Sequence, residues 1–253
     1  MSTKLKIAAA VAAAVLLSAC SSPKHEPMPL VKFTPSMEVT EVWSKGLSSA
    51  EGFLVPAVYD DMVFAAGGKT LTRLNARTGE TEWSVSFNSP ITGGVGSDGY
   101  VTAVGLWDGN LEVVDAEGKV SWEKKLTTEL ASPPVVSHGL VIARTMDTRV
   151  SAFEASSGEL QWTYQRSQPA LTVRLPTRML AHDNFLLVGQ PNGHIVILDI
   201  ASGKPMFEFQ VAQAKGVTEV ERLVDVVGAP AFSDNLVCAA AFQGAVTCVD
   251  STN

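Results

Sequence analysis

Tryptophan returns along this chain about every forty residues. Trp43, Trp83, Trp122 and Trp162 stand 40, 39 and 40 residues apart, and Phe207 takes the same place 45 residues further on. Four positions before each of the last four is a glycine: Gly79, Gly118, Gly158 and Gly203. Just ahead of each glycine stands Asn75, Asp115, Glu154 or Asp199. A second turn recurs as DDMV at 60–63, SDGY at 97–100, SHGL at 137–140 and SDNL at 233–236. A fixed period of this length marks a unit that cannot bury its apolar faces alone, so neighbouring units must stack.

The third repeat shows what each unit is. PPVVS reads as a strand, HG as a turn, LVIARTM as a strand, DT as a turn, RVSAFEA as a strand, SSGE as a turn and LQWTYQ as a fourth strand. Branched and aromatic residues fill the strands; Gly, Asp, Asn and Ser fill the turns. The glycine supplies a positive φ, and the Asp or Asn caps backbone groups. The tryptophan is expected to fill the wedge between neighbouring sheets. Four strands in about forty residues is the signature of a propeller. The expected fold is all-β: a β-propeller of four-stranded antiparallel blades, about five of them within residues 38–253. Residues 38–46 read as a lone outer strand, and the last unit, PAFSDNLVCAAAFQGAVTCVD, holds three strands. Together they would make one whole blade and close a ring of five. Blades curved for a larger ring would instead leave an arc with exposed edges.

The first nineteen residues are a separate object. Lys4 and Lys6 precede an apolar run from Ile7 to Leu17, which is too short to span a bilayer. Leu17-Ser18-Ala19-Cys20 then resembles the lipobox of bacterial lipoproteins. The resemblance implies cleavage before Cys20, acylation of Cys20 and, with Ser21 following, an outer-membrane anchor facing the periplasm. Residues 20–37, with Pro23, Pro27, Pro29 and Pro35, read as a tether. With 19 basic against 26 acidic residues, the chain lacks the basic surface that a nucleic-acid partner would require.

No catalytic constellation emerges. His25, His138, His182 and His194 lack metal-ligand spacing, and His138 fills a turn slot held elsewhere by Asp. Gly94 to Gly99 matches a phosphate-loop pattern, but a strand follows it, with no helix to receive a phosphate. No catalytic residue, metal site or cofactor is assigned. Cys238 and Cys248 lie on successive strands. A three-residue loop would set them opposite each other and permit a disulfide; a two-residue loop would forbid it. The reading favours two buried thiols over the bridge.

The Asp-x-x-Ser/Thr-Gly-Glu/Lys-x-x-Trp turn resembles the repeats of pyrroloquinoline-quinone-type propellers. PALTVRLPT at 169–177 and GVTEVERLVDVVGAPAFSDNLV at 216–237 further resemble the lipoprotein family of the outer-membrane barrel-assembly machinery. That family has eight blades, about three more than are found here. The resemblance implies a non-enzymatic scaffold that binds the central barrel subunit, BamA, and assists insertion of β-barrel proteins. It carries the partner contacts onto Leu171, Val173, Arg174 and Asp225, with Val227 standing where the family often has a second Asp. The residues by themselves agree in part. The fourth repeat is lengthened, and extra residues in a repeat map to loops on one face. Residues 212–227 mix Glu219, Glu221, Arg222 and Asp225 with Val217, Val220 and Leu223, which also suits a solvated loop with no partner. The alternative function is a quinone- or sugar-binding periplasmic propeller that could be an enzyme.

Overall fold

The computed structural model describes residues 29–48 and 54–250, apart from 168, 170, 176 and 234. The expected signal segment 1–19 and Cys20 lie outside the described residues. The chain divides into two units, Met1–Thr40 and Glu41–Asn253. Residues 29–40 of the first carry no strand. The second holds all the sheets.

Among the described residues nineteen strands form five antiparallel sheets in strict chain order. The first is β1 (Ala57–Tyr59), β2 (Met62–Gly67), β3 (Thr70–Asn75) and β4 (Thr81–Ser86). The second is β5 (Ile91–Ser97), β6 (Thr102–Leu106), β7 (Asn110–Val114) and β8 (Val120–Lys125). The third is β9 (Val135–Ser137), β10 (Leu140–Arg144), β11 (Val150–Glu154) and β12 (Leu160–Tyr164). The fourth is β13 (Leu180–His182), β14 (Phe185–Gln190), β15 (His194–Asp199) and β16 (Pro205–Gln210). The fifth has three strands, β17 (Val226–Ser233), β18 (Leu236–Ala241) and β19 (Val246–Asp250).

Burial explains the composition of each strand. The second strand of a blade is covered on both faces, so β6 and β10 are buried throughout and read as unbroken small or apolar runs. The fourth strand is the rim, so β4 alternates between exposed and half-buried residues. Four apolar cores join successive sheets. Leu71, Ile91 and Val104 link the first pair, and Leu111, Val141 and Phe153 the second. Ile142, Leu186 and Leu198 link the third pair; Ile195, Val226 and Ala239 link the fourth.

The recurring tryptophan is the clasp between blades, and it clasps forward. Trp43, Trp83, Trp122 and Trp162 donate their indole N–H to the carbonyls of Ala76, Ala116, Ala155 and Ile200, at 2.9, 3.0, 2.8 and 2.8 Å. Each acceptor lies in the third turn of the following blade. In the same turn Gly118 receives the Trp83 ring, and a Cβ there would come within 2.9 Å of it. Gly118 also sits at φ 82°, so two separate demands converge on glycine. Asn75 and Asp115 cap their turns as expected: Asn75 Oδ1 accepts from the Arg77 and Thr78 N–H groups, and Asp115 Oδ1 from those of Glu117 and Lys119. A bulge just before this turn recurs in the first four sheets and aims the aromatic residue. Phe207, in the same slot, is 67% exposed.

Two expectations need correction. Residues 38–46 form no strand and add none to the fifth sheet, which stays three-stranded. Trp43 instead docks on the first blade, as the other tryptophans do on theirs. Among the described residues no apolar core joins the fifth sheet to the first. The second correction concerns the cysteines. Cys238 and Cys248 are bonded to each other rather than being two buried thiols. The Ala241 N–H donates to the Ala245 carbonyl, which closes a three-residue loop and sets the cysteines directly opposite.

One cross-strand pair makes stability depend on pH. Glu112 faces Glu123 across β7 and β8, where the neighbouring blades pair Thr72 with Ser84 and Ser151 with Thr163. Burial, then the Glu123 charge and its hydrogen bond, push the Glu112 carboxyl up to about 7. A carboxyl raised in the folded state adds stability below its unfolded value, and that stability is lost as the pH climbs through about 7. Melting temperature should therefore fall between about pH 5 and about pH 8, with this pair supplying roughly 1–2 kcal/mol after allowance for solvent screening. In Glu112→Gln that part of the slope should vanish; an unchanged slope would place its origin elsewhere.

Candidate functional site

An up-and-down blade sends its turns to two ends. The first and third turns lie at one end. The second turns and the links between blades lie at the other. Both long links, residues 165–179 before β13 and 211–225 before β17, belong to this second end. The sequence-derived contact residues therefore fall on one face.

Asp225 ties the two links together. It is 5% exposed. Its Oδ2 accepts the Val173 N–H at 2.6 Å, and its Oδ1 the Asn192 N–H at 3.3 Å. Its own carbonyl accepts the Phe242 N–H at 2.8 Å. A parallel bridge joins Thr177 to Gly228, and the Arg178 N–H donates to the Gly228 carbonyl at 3.1 Å. Sequence had cast Asp225 as a charge offered to a partner. In the fold its carboxylate faces inward and braces the 171–177 segment.

Behind Asp225 sits a residue that sequence reasoning missed. Arg144 ends β10, is 4% exposed, and donates from Nη1 to Thr177 Oγ1 at 3.2 Å. Burial pushes its pKa down to about 10, while the Asp225 charge pulls the other way, so it stays charged at neutral pH. Gln190, which ends β14, is 2% exposed and was also missed. The available signal was a polar residue closing an apolar strand: LVIAR and FLLVGQ. Arg144, Thr177, Gln190 and Asp225 line a cleft of about 340 Å³ beneath the 171–177 segment.

The outward side of that segment is different. Leu171 and Leu175 are each 41% exposed, and Val173 is half-buried. Arg174 is exposed, and makes no hydrogen bond or ion pair with another described residue. The second link adds Val217 at 95% and Val220 at 59% exposure. Its charges are mostly occupied internally. Glu221 Oε2 accepts the Val217 and Thr218 N–H groups, and the Glu221 N–H donates to Thr218 Oγ1. These backbone bonds, that of Thr218 first, lower the Glu221 pKa. Arg222 lies 3.9 Å from Glu219. Among the described residues the face thus offers aliphatic side chains beside arginines, Arg174 and Arg178, whose guanidinium groups make no hydrogen bond or ion pair with another described residue.

The remaining motifs are structural. The glycine run at 94–99 follows β5 into a turn, with no helix after it. Gly96 is packed against the Pro134 backbone of the next blade, where a Cβ would not fit. His138 occupies a turn at φ 55°. Among the described residues no three His, Cys, Asp or Glu side chains are grouped to hold a metal ion.

A family model described as outer membrane protein assembly factor BamB matches residues 67–253. The BamB of Burkholderia pseudomallei is 38% identical over 251 residues, covering 97% of this chain and 66% of the relative. The BamB of Bordetella pertussis is 34% identical, covering 92% and 62%. The chain thus spans slightly less than two thirds of these relatives. The crystal structure of BamB from Moraxella catarrhalis superposes with a TM-score of 0.72 at 29% identity, covering 79% of this chain and 61% of that one.

Proposed function

Because the chain belongs to the family of the outer membrane protein assembly factor BamB, we propose that it acts as a non-enzymatic scaffold. In this reading it is held at the outer membrane by a lipid on Cys20 and faces the periplasm. It assists β-barrel insertion by binding the central barrel subunit, BamA. The docking surface is the outer side of the 171–177 segment. Arg174 is the anchor, Leu171 and Leu175 flank it, and Val173 helps hold the segment in place through Asp225.

The observation that carries this reading is the condition of Arg174. An exposed arginine with no hydrogen-bond or ion-pair partner among the described residues, set among aliphatic side chains on a braced loop, has the chemistry of an interface anchor. Its planar fork pairs with carboxylate or main-chain oxygens while its stem covers apolar surface. Nothing in a propeller blade requires it there. Asp225 contributes indirectly, by fixing the segment that presents Arg174.

Arg174→Glu should weaken capture of the barrel subunit about thirtyfold, the equivalent of roughly 2 kcal/mol for loss of a central anchor. Its melting temperature should stay close to that of the parent, because no hydrogen bond or ion pair with a described residue is removed. Undiminished pull-down by a well-folded Arg174→Glu chain would defeat the assignment.

A further inference from the structure

The hairpin of β18 and β19 touches both ends of the 211–225 link. The Phe242 N–H donates to the Asp225 carbonyl at 2.8 Å. Thr247 Oγ1 donates to the Val211 carbonyl at 2.7 Å. Gly244 lies so near the link that a Cβ there would come within 2.8 Å of the Ala212 methyl group. All three residues fall between Cys238 and Cys248, inside the loop that the disulfide closes. From Asp225 the path continues to the docking segment, because its carboxylate accepts the N–H of Val173, the neighbour of Arg174.

Apart from the disulfide, little holds this hairpin shut. β19 pairs with β18 along one edge and with no other strand among the described residues. Its five residues alternate between exposed and half-buried, with Val246 73% exposed, so apolar burial contributes little. Ala239 packs in the core shared with the fourth blade, so Cys238 points to the opposite face of the sheet, with Cys248 directly across from it. There Cys238 is half-buried and Cys248 exposed. A thiolate can reach a disulfide placed in this way without the fold opening.

We propose that the Cys238–Cys248 disulfide is a redox lock on the docking face. A thiolate of a dithiol reductant attacks one of the two sulfurs and breaks the S–S bond. The reductant's second thiolate then displaces the protein sulfur from the mixed disulfide. The protein takes up two electrons and two protons as two thiols, and the dithiol leaves as its own disulfide. With the loop opened, the hairpin tip frays and its hold on Val211, Ala212 and Asp225 weakens. The segment that presents Arg174 then loosens, while the other blades stay in place. The consequence of the lock rests on the docking role of Arg174, but the lock itself is read without a partner.

The test follows amide hydrogen exchange by NMR in the full chain, first as the disulfide and then after treatment with dithiothreitol under native conditions. Thiol labelling should find Cys238 and Cys248 both freed without denaturant. Exchange at the Phe242 amide should quicken about tenfold and at Val173 about threefold, as local opening becomes easier. Val104, in the second blade, should keep its rate. The variant carrying both Cys238→Ser and Cys248→Ser should show the same pattern with no reductant present. Three results would overturn the proposal: a bond that is reduced only in denaturant, an unchanged rate at Val173, or a faster rate at Val104 as well, which would make the bond a support for the whole fold. Failure of Arg174→Glu to weaken capture of the barrel subunit would leave these rates untouched, so the two readings fail separately.

Discussion

Asp225→Ala is expected to cost the fold about 2–4 kcal/mol, because each buried N–H group left unsatisfied costs about 1–3 kcal/mol and the buried Arg144 guanidinium loses a countercharge. The change strips the carboxylate from a residue that is 5% exposed. It orphans the Val173 and Asn192 N–H groups and leaves Arg144 charged, buried and uncompensated. Denaturant melts should show a clear fall in midpoint, and hydrogen exchange should speed up at Val173. Asp225→Asn keeps an acceptor but loses the charge, so it should fall between alanine and the parent. A midpoint shift in Asp225→Ala below about 0.5 kcal/mol, the level of an ordinary surface substitution, would mean that Asp225 faces solvent, as the sequence had suggested.

Trp162→Ala should be comparably damaging. Its ring is 9% exposed and packs on the Gly203 turn and within the core that includes Leu186 and Leu198. Its indole N–H donates to the Ile200 carbonyl at 2.8 Å. Truncating a buried tryptophan costs roughly 3–5 kcal/mol, which in a chain of this size lowers the melting temperature by about 6–20 °C. Phe207→Ala provides the comparison. It occupies the same slot but is 67% exposed, so its loss should be small. Similar effects at both positions would show that docking on the following turn is not what makes Trp162 matter.

Most of the architecture could be read from the chain because its cause is periodic. The docking contact repeats at every blade boundary, so the same residue types return at the same spacing. The partner in that contact was less legible. Sequence sets each glycine four residues before its own tryptophan, but the ring it receives comes from the blade before: Gly118 meets Trp83. Adjacency in the chain concealed adjacency in space.

The site was legible only on its outer surface. Arg174 and Leu171 stand in an inserted segment, and the fold leaves both exposed. Asp225 looked the same from sequence, but its carboxylate partners lie 52 and 33 residues away, beyond any local pattern. Arg144 and Gln190 passed as strand ends, because burial comes from neighbouring blades rather than from adjacent residues. Loop parity decided the Cys238–Cys248 question. AAFQGAV does not reveal whether two or three residues turn the corner, and one residue either way reverses the outcome.

The reading of this face as a docking surface is open to a direct measurement. A photo-crosslinking residue placed at position 174, in cells that carry the barrel-assembly machinery, should form an adduct with the central barrel subunit. The same residue at position 138, in a turn at the opposite end of the blades, should form none. Adducts from 138 but not from 174 would contradict the account and move the interface to the other end of the propeller.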